Sequence, residues 1–195
     1  MKGVITALGL LVAAALVCCL LIYRNSGGCF QCATLQSHRH GSNERNPSTG
    51  LKTLASAQAY FRANDQDNDG VNQFWRSDVS GLYTVAPTGS PAIKLIELAV
   101  ACADDRPKTD ILKYSTLAPK AGYWYRAIRH ADEDPKALDP NRFAYCAFPD
   151  SPSAGKYIFI VDENNTIFRA MANGRRGIEV FPTPEELKTS WSKLD

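Results

Sequence analysis

The sequence lacks the features that most enzymes and nucleic-acid-binding proteins carry. Its formal net charge is only +2, and no run of Lys and Arg is interleaved with aromatic residues, so nucleic acid is excluded as an expected partner. It has no glycine-rich phosphate loop, no H-E-x-x-H motif and no G-x-S-x-G motif. Of its 3 histidines only His130 lies beyond residue 40, so a nucleophile in the folded part would have a single imidazole available as its base. We therefore expect no enzymatic activity and assign no catalytic residue.

Charge is missing altogether from residues 3–23, GVITALGLLVAAALVCCLLIY. As a helix rising about 1.5 Å per residue, this segment would measure roughly 31 Å, the thickness of a bilayer's hydrocarbon core. It is longer than the apolar part of a signal peptide, which has about 7–15 residues, and no A-x-A-like cleavage site follows. We predict an uncleaved transmembrane anchor over residues 1–24 that contacts membrane lipid through residues 3–23. The expected location is the inner (cytoplasmic) membrane, crossed once, with the rest of the chain on the extracytoplasmic side.

Aliphatic residues are scarce from residue 25 to residue 46, so this segment is predicted to be a flexible linker. It contains Cys29 and Cys32 in C-x2-C spacing, close to two histidines. This pair could form half of a zinc site, form a disulfide, or have no role. Cys102 and Cys146 are the cysteines of the predicted folded part. In an oxidising compartment they either form a disulfide or remain free buried thiols.

An amphipathic helix is predicted directly after the linker. Leu51, Leu54 and Phe61 recur at helical spacing and form an apolar stripe that is expected to pack on a sheet. The helix is expected to start at Asn46 or Ser48, with Pro47 tolerated in the first turn. Gln58 falls within the stripe, and its amide is expected either to sit at the edge of the core or to bond to backbone there.

The next segment resembles part of a calcium-binding loop. Asp65, Asp67 and Asp69, followed by a glycine, match the first half of such a loop. The second half does not match, because Arg76 stands where the bidentate glutamate should be, and Asp78 is the nearest carboxylate that could replace it. The four aspartates are the predicted ligands of Ca²⁺, the one cofactor that the sequence suggests. The alternative is a polar turn that binds no ion.

The middle of the chain is predicted to form a helix and then a sheet. The helix is expected from Ser90 to about Ala103, because a Ser-Pro pair precedes an apolar run there. Four short runs rich in β-branched and aromatic residues are predicted strands of an antiparallel sheet, at residues 122–130, 143–148, 156–161 and 166–171. The third run is apolar without interruption, which predicts a central strand covered on both faces. The last two runs are separated by a loop that predicts a hairpin.

A final helix is indicated by the capping box that Thr183 and Glu186 form. It is expected to carry Trp191 and Leu194 on its apolar face. The predicted fold class is therefore α+β: an N-terminal transmembrane helix, then an amphipathic helix packed on a short-stranded antiparallel sheet, with a C-terminal helix. The soluble α+β domain is placed at residues 47–195.

Three stretches resemble an uncharacterised bacterial family of membrane-anchored, pilin-like proteins, a domain of unknown function. They are residues 43–83, which begin NERNPSTGLKTLASAQAYF, residues 120–125, KAGYWY, and residues 148–169, which contain GKYIFIVDENNTIFR. The segment LKTL is similar to the start of the globular domain in type IV pilins and secretion pseudopilins. The resemblance implies a helix packed on an antiparallel sheet and a role in the envelope. It does not extend to filament assembly, because Val4 and Leu8 stand where prepilins cleaved after glycine carry Phe and Glu.

These features together predict a membrane-tethered, extracytoplasmic structural or protein-interaction domain whose partner is an envelope protein. The alternative is a calcium- or metal-binding module, either a sensor or a hydrolase, that uses the loop from Asp65 to Asp78. The two hypotheses differ in whether calcium changes the stability of the chain, since a ligand that binds only the folded state stabilises it.

Overall fold

The computed structural model describes residues 45–87, 89–134 and 136–194. The predicted anchor, residues 1–24, lies outside the described residues, as do the linker up to residue 44 and its cysteines Cys29 and Cys32. The predictions made for them therefore stay predictions. Within the described ranges, no helix combines the length and the apolar character that a membrane crossing requires.

The first described element is helix α1, Arg45–Ala63. Its apolar stripe is buried as expected, with Leu51 fully buried and Phe61 only 1% exposed. Gln58 is also fully buried. Its Oε1 accepts the N–H of Trp75 at 2.9 Å, and its Nε2 donates to the carbonyl of the same residue. The expected bond to backbone is confirmed, and because both ends of the amide are bonded, this polar group fits inside the stripe.

A curled sheet of six strands forms the centre of the fold. In chain order the strands are β1 (Tyr123–His130), β2 (Ala144–Pro149), β3 (Tyr157–Asp162), β4 (Ile167–Met171), β5 (Val180–Phe181) and β6 (Ser192–Lys193). In space their order is β5-β1-β2-β3-β4-β6. Strands β1 to β4 match the four predicted runs to within one residue at each end, and β3 and β4 form the predicted hairpin.

Both faces of this sheet are covered, which accounts for the uninterrupted apolar run of β3. Along β2, Tyr145 and Ala147 belong to the larger core, which includes the stripe of α1. Cys146 and Phe148 alternate with them and belong to a smaller core on the opposite face. The smaller core is closed by side chains of the C-terminal segment, Phe181, Leu187 and Trp191. The same alternation holds along β3, where Phe159 belongs to the larger core and Ile158 and Ile160 to the smaller one, so the prediction of a strand covered on both faces is confirmed.

The predicted fold class is wrong, because the sheet is mixed. Arg129 and His130, at the end of β1, pair in parallel with β5, whereas the other four strand pairings are antiparallel. A strand of two residues has no periodicity that a sequence pattern could reveal. Beyond α1, the helices of the described residues are short: α2 (Gly81–Thr84), α3 (Leu98–Ala101), a 3-10 turn (Ile111–Lys113) and α4 (Pro184–Ser190). The transmembrane helix of the predicted fold class has no counterpart in this described part.

The helix predicted from Ser90 to Ala103 is also wrong, since only its one turn α3 is helical. The N–H of Leu95 bonds to the carbonyl of Leu82 at 3.0 Å, a contact with another part of the chain. A backbone group satisfied in this way cannot also make the helical bond. Tertiary contacts therefore determine the backbone conformation of this segment, although its local sequence pattern favours a helix.

Helix α4 has the predicted capping box but is shorter than expected. The Thr183 hydroxyl accepts the N–H of Glu186 at 3.3 Å, and the Glu186 carboxylate accepts the N–H of Thr183 at 2.9 Å. The helix ends at Ser190, Trp191 has an extended backbone, and β6 then pairs with β4. Trp191 and Leu194 are consequently not on the helix. By leaving the helix, this segment gains backbone hydrogen bonds to β4, which a helical continuation could not make.

Candidate functional site

Helix α1 is followed by a tight turn that contains the first three predicted calcium ligands. Asp65, Asn68 and Gly70 all have positive φ, at 43°, 55° and 82°, a conformation that Asn, Asp and Gly adopt more readily than other residues. The Asp65 carboxylate accepts the N–H groups of Asp69 at 3.2 Å and Gly70 at 3.0 Å. The backbone therefore wraps around the Asp65 side chain.

Three carboxylates converge in this turn. One oxygen from each of Asp65, Asp67 and Asp69 lies within 4.8 Å of the others. Oδ1 of Asp67 is buried and has no hydrogen-bond partner among the described residues. Burial, together with the charges of its two neighbours in the cluster, raises the pKa of Asp67. Oxygens that each lie about 2.3–2.6 Å from a shared Ca²⁺ are separated by a distance of this order, so the cluster could bind a hard cation.

Asp78, the fourth predicted ligand, is not part of this cluster. It is 1% exposed, and its Oδ2 accepts the N–H groups of Lys108 at 2.7 Å and Thr109 at 2.8 Å. Its Oδ1 accepts the N–H of Gly81 at 3.0 Å. Burial acts to raise the pKa of Asp78, but the hydrogen bonds outweigh it, so the pKa is lowered. The Asp78 carboxylate therefore links the segment at Gly81 to the segment at residues 108–109 through hydrogen bonds and lies outside the cluster of three aspartates.

A second buried carboxylate, Asp104, lies close to Asp78, because Ser80 donates to both. The Ser80 N–H bonds to Asp104 at 2.8 Å and its hydroxyl to Asp78 at 3.0 Å. Burial raises the pKa of Asp104. Two carboxylates with oppositely shifted pKa values are also an arrangement found in acid–base catalysis. Here, however, protein donors occupy all four carboxylate oxygens, so the pair supports the loop architecture.

Arg76, which stands at the twelfth position of the half-matching calcium loop, has a structural partner. Its guanidinium forms two bonds with Glu133, at 2.6 Å and 2.8 Å, and both side chains are nearly buried. Burial acts to raise the pKa of Glu133, but the hydrogen bonds and charge of Arg76, together with the N–H groups of His130 and Asp139, outweigh it and lower the pKa to about 2. No local pattern in the sequence identified Glu133, which lies in an acidic run typical of a solvated turn.

The two cysteines of the folded part are both free and buried. Cys102 belongs to the larger core and Cys146 to the smaller one. These cores lie on opposite faces of the sheet, and this structure joins the two thiols by no disulfide. Burial raises the pKa of the Cys146 thiol to about 12, which makes it unreactive.

An open groove with a volume of about 540 Å³ lies between α1 and the loop of the β3–β4 hairpin, and we call it the helix groove. Its apolar lining comes from Ala55, Ala59, Ala63, Phe74 and Phe143. Its charged lining consists of Arg62 and Glu163. Sequence patterns gave no indication of this groove, because it is formed by residues from four separate parts of the chain.

Glu163 belongs to a small charged network behind the groove. Its Oε2 lies 3.2 Å from Nε2 of the buried His130, and its Oε1 lies 3.5 Å from Nε of Arg142. Burial acts to lower the pKa of His130, but the neighbouring carboxylate outweighs it and raises the pKa. The pKa of Glu163 is correspondingly lowered, against the effect of its own burial. The network favours a charged Glu163 at neutral pH.

A patch of large apolar side chains is exposed on the irregular segment before β1, and we call it the apolar patch. It consists of Ile93, Leu112 and Tyr114, which are 50%, 64% and 49% exposed. The Tyr114 ring packs edge-on against Tyr83 with 5.3 Å between centroids, and Nζ of Lys94 lies over both rings. The patch is therefore held in a defined position.

No family model, no curated protein and no solved structure matches this chain. The resemblance to pilin-like proteins therefore stays a prediction.

Proposed function

We propose that this chain is a non-enzymatic domain that binds another protein of the cell envelope, and that residues 3–23 hold it at a membrane with the domain on the extracytoplasmic side. The apolar patch carries this proposal. Contiguous exposed apolar surface marks sites of interaction, and the contact of Lys94, which follows Ile93, with the Tyr114 ring places these exposed side chains in one region of the surface. The anchor is supported by the uncharged run of residues 3–23 alone.

The apolar patch has the anatomy of a protein-binding surface. Tyr114 is an aromatic anchor that its contacts with Tyr83 and Lys94 orient in advance, and preorganisation of this kind lowers the entropic cost of binding. The ion pair between Lys113 and Asp110, at 2.7 Å, is exposed beside it. An apolar centre with a polar rim is the usual arrangement of a protein interface.

Site-specific photo-crosslinking tests the interaction. A photoreactive residue placed at Leu112 in the full-length chain is expected to give one discrete adduct in native membranes, and the same residue at Met171 is the matched control. Met171 is 48% exposed on β4, outside the patch. A second change, Tyr114→Asp, should abolish the adduct at Leu112. Equal labelling from both positions, or labelling that survives Tyr114→Asp, would contradict the proposal.

Membrane attachment is tested separately. The full-length chain is expected to stay with the membrane fraction after carbonate extraction, and a chain lacking residues 3–23 should be released. Extraction of the full-length chain would contradict the anchor but leave the protein-binding proposal standing.

Calcium binding is a second candidate function, favoured by the convergence of Asp65, Asp67 and Asp69 within 4.8 Å. These residues fit Ca²⁺ because the buried Oδ1 of Asp67 has no donor among the described residues and hard cations take carboxylate oxygens. A ligand at a hundredfold excess over its Kd stabilises the folded state by about 2.7 kcal/mol. Thermal unfolding of the full-length chain in calcium and in chelator measures this gain.

The variant Asp65→Asn is expected to remove the response to calcium. Asp132→Asn, which changes an exposed aspartate elsewhere in the fold, should retain it. An unfolding midpoint that stays unchanged up to about 10 mM calcium, well above the Kd of weak extracellular sites, would rule this function out.

A further inference from the structure

We propose that the helix groove binds a small amphipathic anion, an apolar or aromatic body that carries one carboxylate, with Arg62 as its charge partner. The lining of this groove shares no residue with the apolar patch or with the turn that contains Asp65, Asp67 and Asp69, which we call the aspartate turn. The volume of about 540 Å³ lies within the range of about 300–1,000 Å³ that is usual for small-molecule sites.

The walls of the groove are suited to an apolar body. Ala55, Ala59 and Ala63 lie along one side of α1, and Phe74 and Phe143 contribute aromatic surface. Those two rings pack edge-on, with 4.9 Å between their centroids, so they present a fixed surface. Small side chains facing fixed aromatic rings leave room for a flat or extended molecule, and burying apolar surface there is favourable.

Arg62 supplies the charge. Its guanidinium lies over the Phe74 ring at 4.8 Å, and its Nη2 donates to Oδ1 of Asn141 at 2.9 Å. Within the described ranges these are its polar and ring contacts, and no carboxylate there lies within ion-pair distance. A guanidinium has five N–H donors in a planar fork that matches a carboxylate. Arg62 therefore has donors left for an acid group in the groove.

Glu163, the other charged residue of the lining, does not offset Arg62. Its carboxylate has cationic groups of its own nearby, Arg142 at 3.5 Å and, when protonated, His130 at 3.2 Å. Arg142 also bonds to the exposed Asp132 at 2.8 Å. Arg62 is thus the cation of the groove that lacks a carboxylate partner within the described residues, which favours a ligand with one negative charge over a cationic one.

Two probes that share a phenyl ring on a short carbon chain and carry head groups of opposite charge test this inference. Isothermal titration calorimetry of the full-length chain uses 3-phenylpropionate and its cationic counterpart 3-phenylpropylamine. The anion is expected to bind with a Kd of about 1 mM or below, as its size allows. The amine is expected to bind at least about tenfold more weakly, because a charge-assisted bond is replaced by repulsion.

Matched variants locate the binding. Arg62→Gln should weaken binding of the anion by about tenfold or more without weakening that of the amine. Lys52→Gln removes a positive charge from the same helix outside the groove lining and should change neither. Ala59→Trp fills the groove from an exposed helix position and should weaken both probes.

Three results would overturn the inference: no measurable binding of the anion, equal binding of the two probes, or an affinity for the anion that Arg62→Gln leaves unchanged. Circular dichroism of each variant identifies any that fails to fold. The conservative change Arg62→Lys keeps the charge and should retain part of the affinity, which separates loss of the charge from loss of the fold. None of these results depends on the crosslinking or calcium experiments.

Discussion

Asp67 and Asp78 are two aspartates only eleven residues apart, and the fold shifts their pKa values in opposite directions. Asp78 is the more deeply buried of the two, yet its pKa is lowered, while that of Asp67 is raised. Burial alone would raise the pKa of Asp78 more than that of Asp67. The difference lies in the donors, because Asp78 accepts bonds from five other residues, whereas Oδ1 of Asp67 accepts none from the described residues.

This comparison separates an acidic residue that supports the fold from one that is available for binding. Asp78 is saturated by groups that the fold brings to it from residues 80–81 and 108–109. In the aspartate turn, the carboxylates instead lie close to one another, where like charges repel. A bound cation would compensate the negative charge of the turn, as hydrogen-bond donors of the protein compensate that of Asp78. Changes that remove donors, charges or carboxylates should therefore affect the two regions differently.

Removing the Asp78 carboxylate, whose two oxygens both accept hydrogen bonds, should lower stability strongly. Asp78→Ala should lower the free energy of unfolding by about 4 kcal/mol, because buried donors left without an acceptor cost about 1–3 kcal/mol each. The donors affected include the N–H groups of Lys108, Thr109 and Gly81. Urea denaturation, followed by the midpoint and the slope m, measures this change.

The matched control is Asp110→Ala, next to the same loop. Asp110 is 61% exposed and forms an ion pair with Lys113, so its removal should cost less than about 1 kcal/mol. If Asp78→Ala does not fold, Asp78→Asn retains one acceptor oxygen and should show an intermediate loss. Equal effects at positions 78 and 110 would show that water replaces the lost acceptor, contrary to the role assigned to Asp78.

The next effect concerns Glu133, a second carboxylate that protein donors satisfy. Glu133→Gln should lower the free energy of unfolding by about 3 kcal/mol, because it leaves the buried guanidinium of Arg76 without its counter-charge. The neighbouring change Asp132→Asn breaks an ion pair whose carboxylate is 71% exposed and should cost little, because water screens the pair. Urea denaturation at neutral pH compares the two, and a loss at position 133 no larger than that at 132 would contradict a buried, coupled pair.

The pH dependence of this pair has a defined sign. The pKa of Glu133 is lowered from 4.5 to about 2, so its stabilising contribution is complete above about pH 4.5 and is lost as the pH falls towards 2. The difference in unfolding free energy between the natural chain and Glu133→Gln should therefore shrink over that interval. Asp104, whose pKa is raised, contributes with the opposite sign, because protonation favours its folded form. A difference that stays constant over the interval would contradict the lowered pKa.

The sequence predicted the parts of this fold that depend on local periodicity. The stripe of α1, strands β1 to β4 and the capping box of Thr183 follow from patterns of 3.6 and 2 residues or from a fixed spacing. The parallel strand β5 and the irregular path near Leu95 depend on contacts with distant residues. No local pattern contains that information.

The candidate sites divide in the same way. The turn of Asp65, Asp67 and Asp69 could be singled out because its carboxylates are close in sequence, and the structure brings these three together. The partner of Asp78 could not be identified, because the donors at Lys108 and Thr109 are 30 and 31 residues away. Arg62 and Glu163 line one groove from positions about a hundred residues apart. Sites formed by long-range contacts need the fold to be known first.

A change at Asp67 should alter stability only slightly, but its sign distinguishes Asp67 from Asp78 directly. In chelator, Asp67→Asn should leave stability unchanged or raise it by less than about 1 kcal/mol, because it removes a charge that Asp65 and Asp69 repel. The equivalent change at Asp78 should be destabilising, since that charge is held by hydrogen bonds. If calcium binds the turn, Asp67→Asn is the less stable of the two chains in calcium, because calcium stabilises the natural chain more than the variant. Thermal unfolding in chelator and in calcium measures both signs. A marked loss of stability for Asp67→Asn in chelator would mean that the Asp67 charge is already neutralised within the fold, and the turn would then resemble the Asp78 site after all.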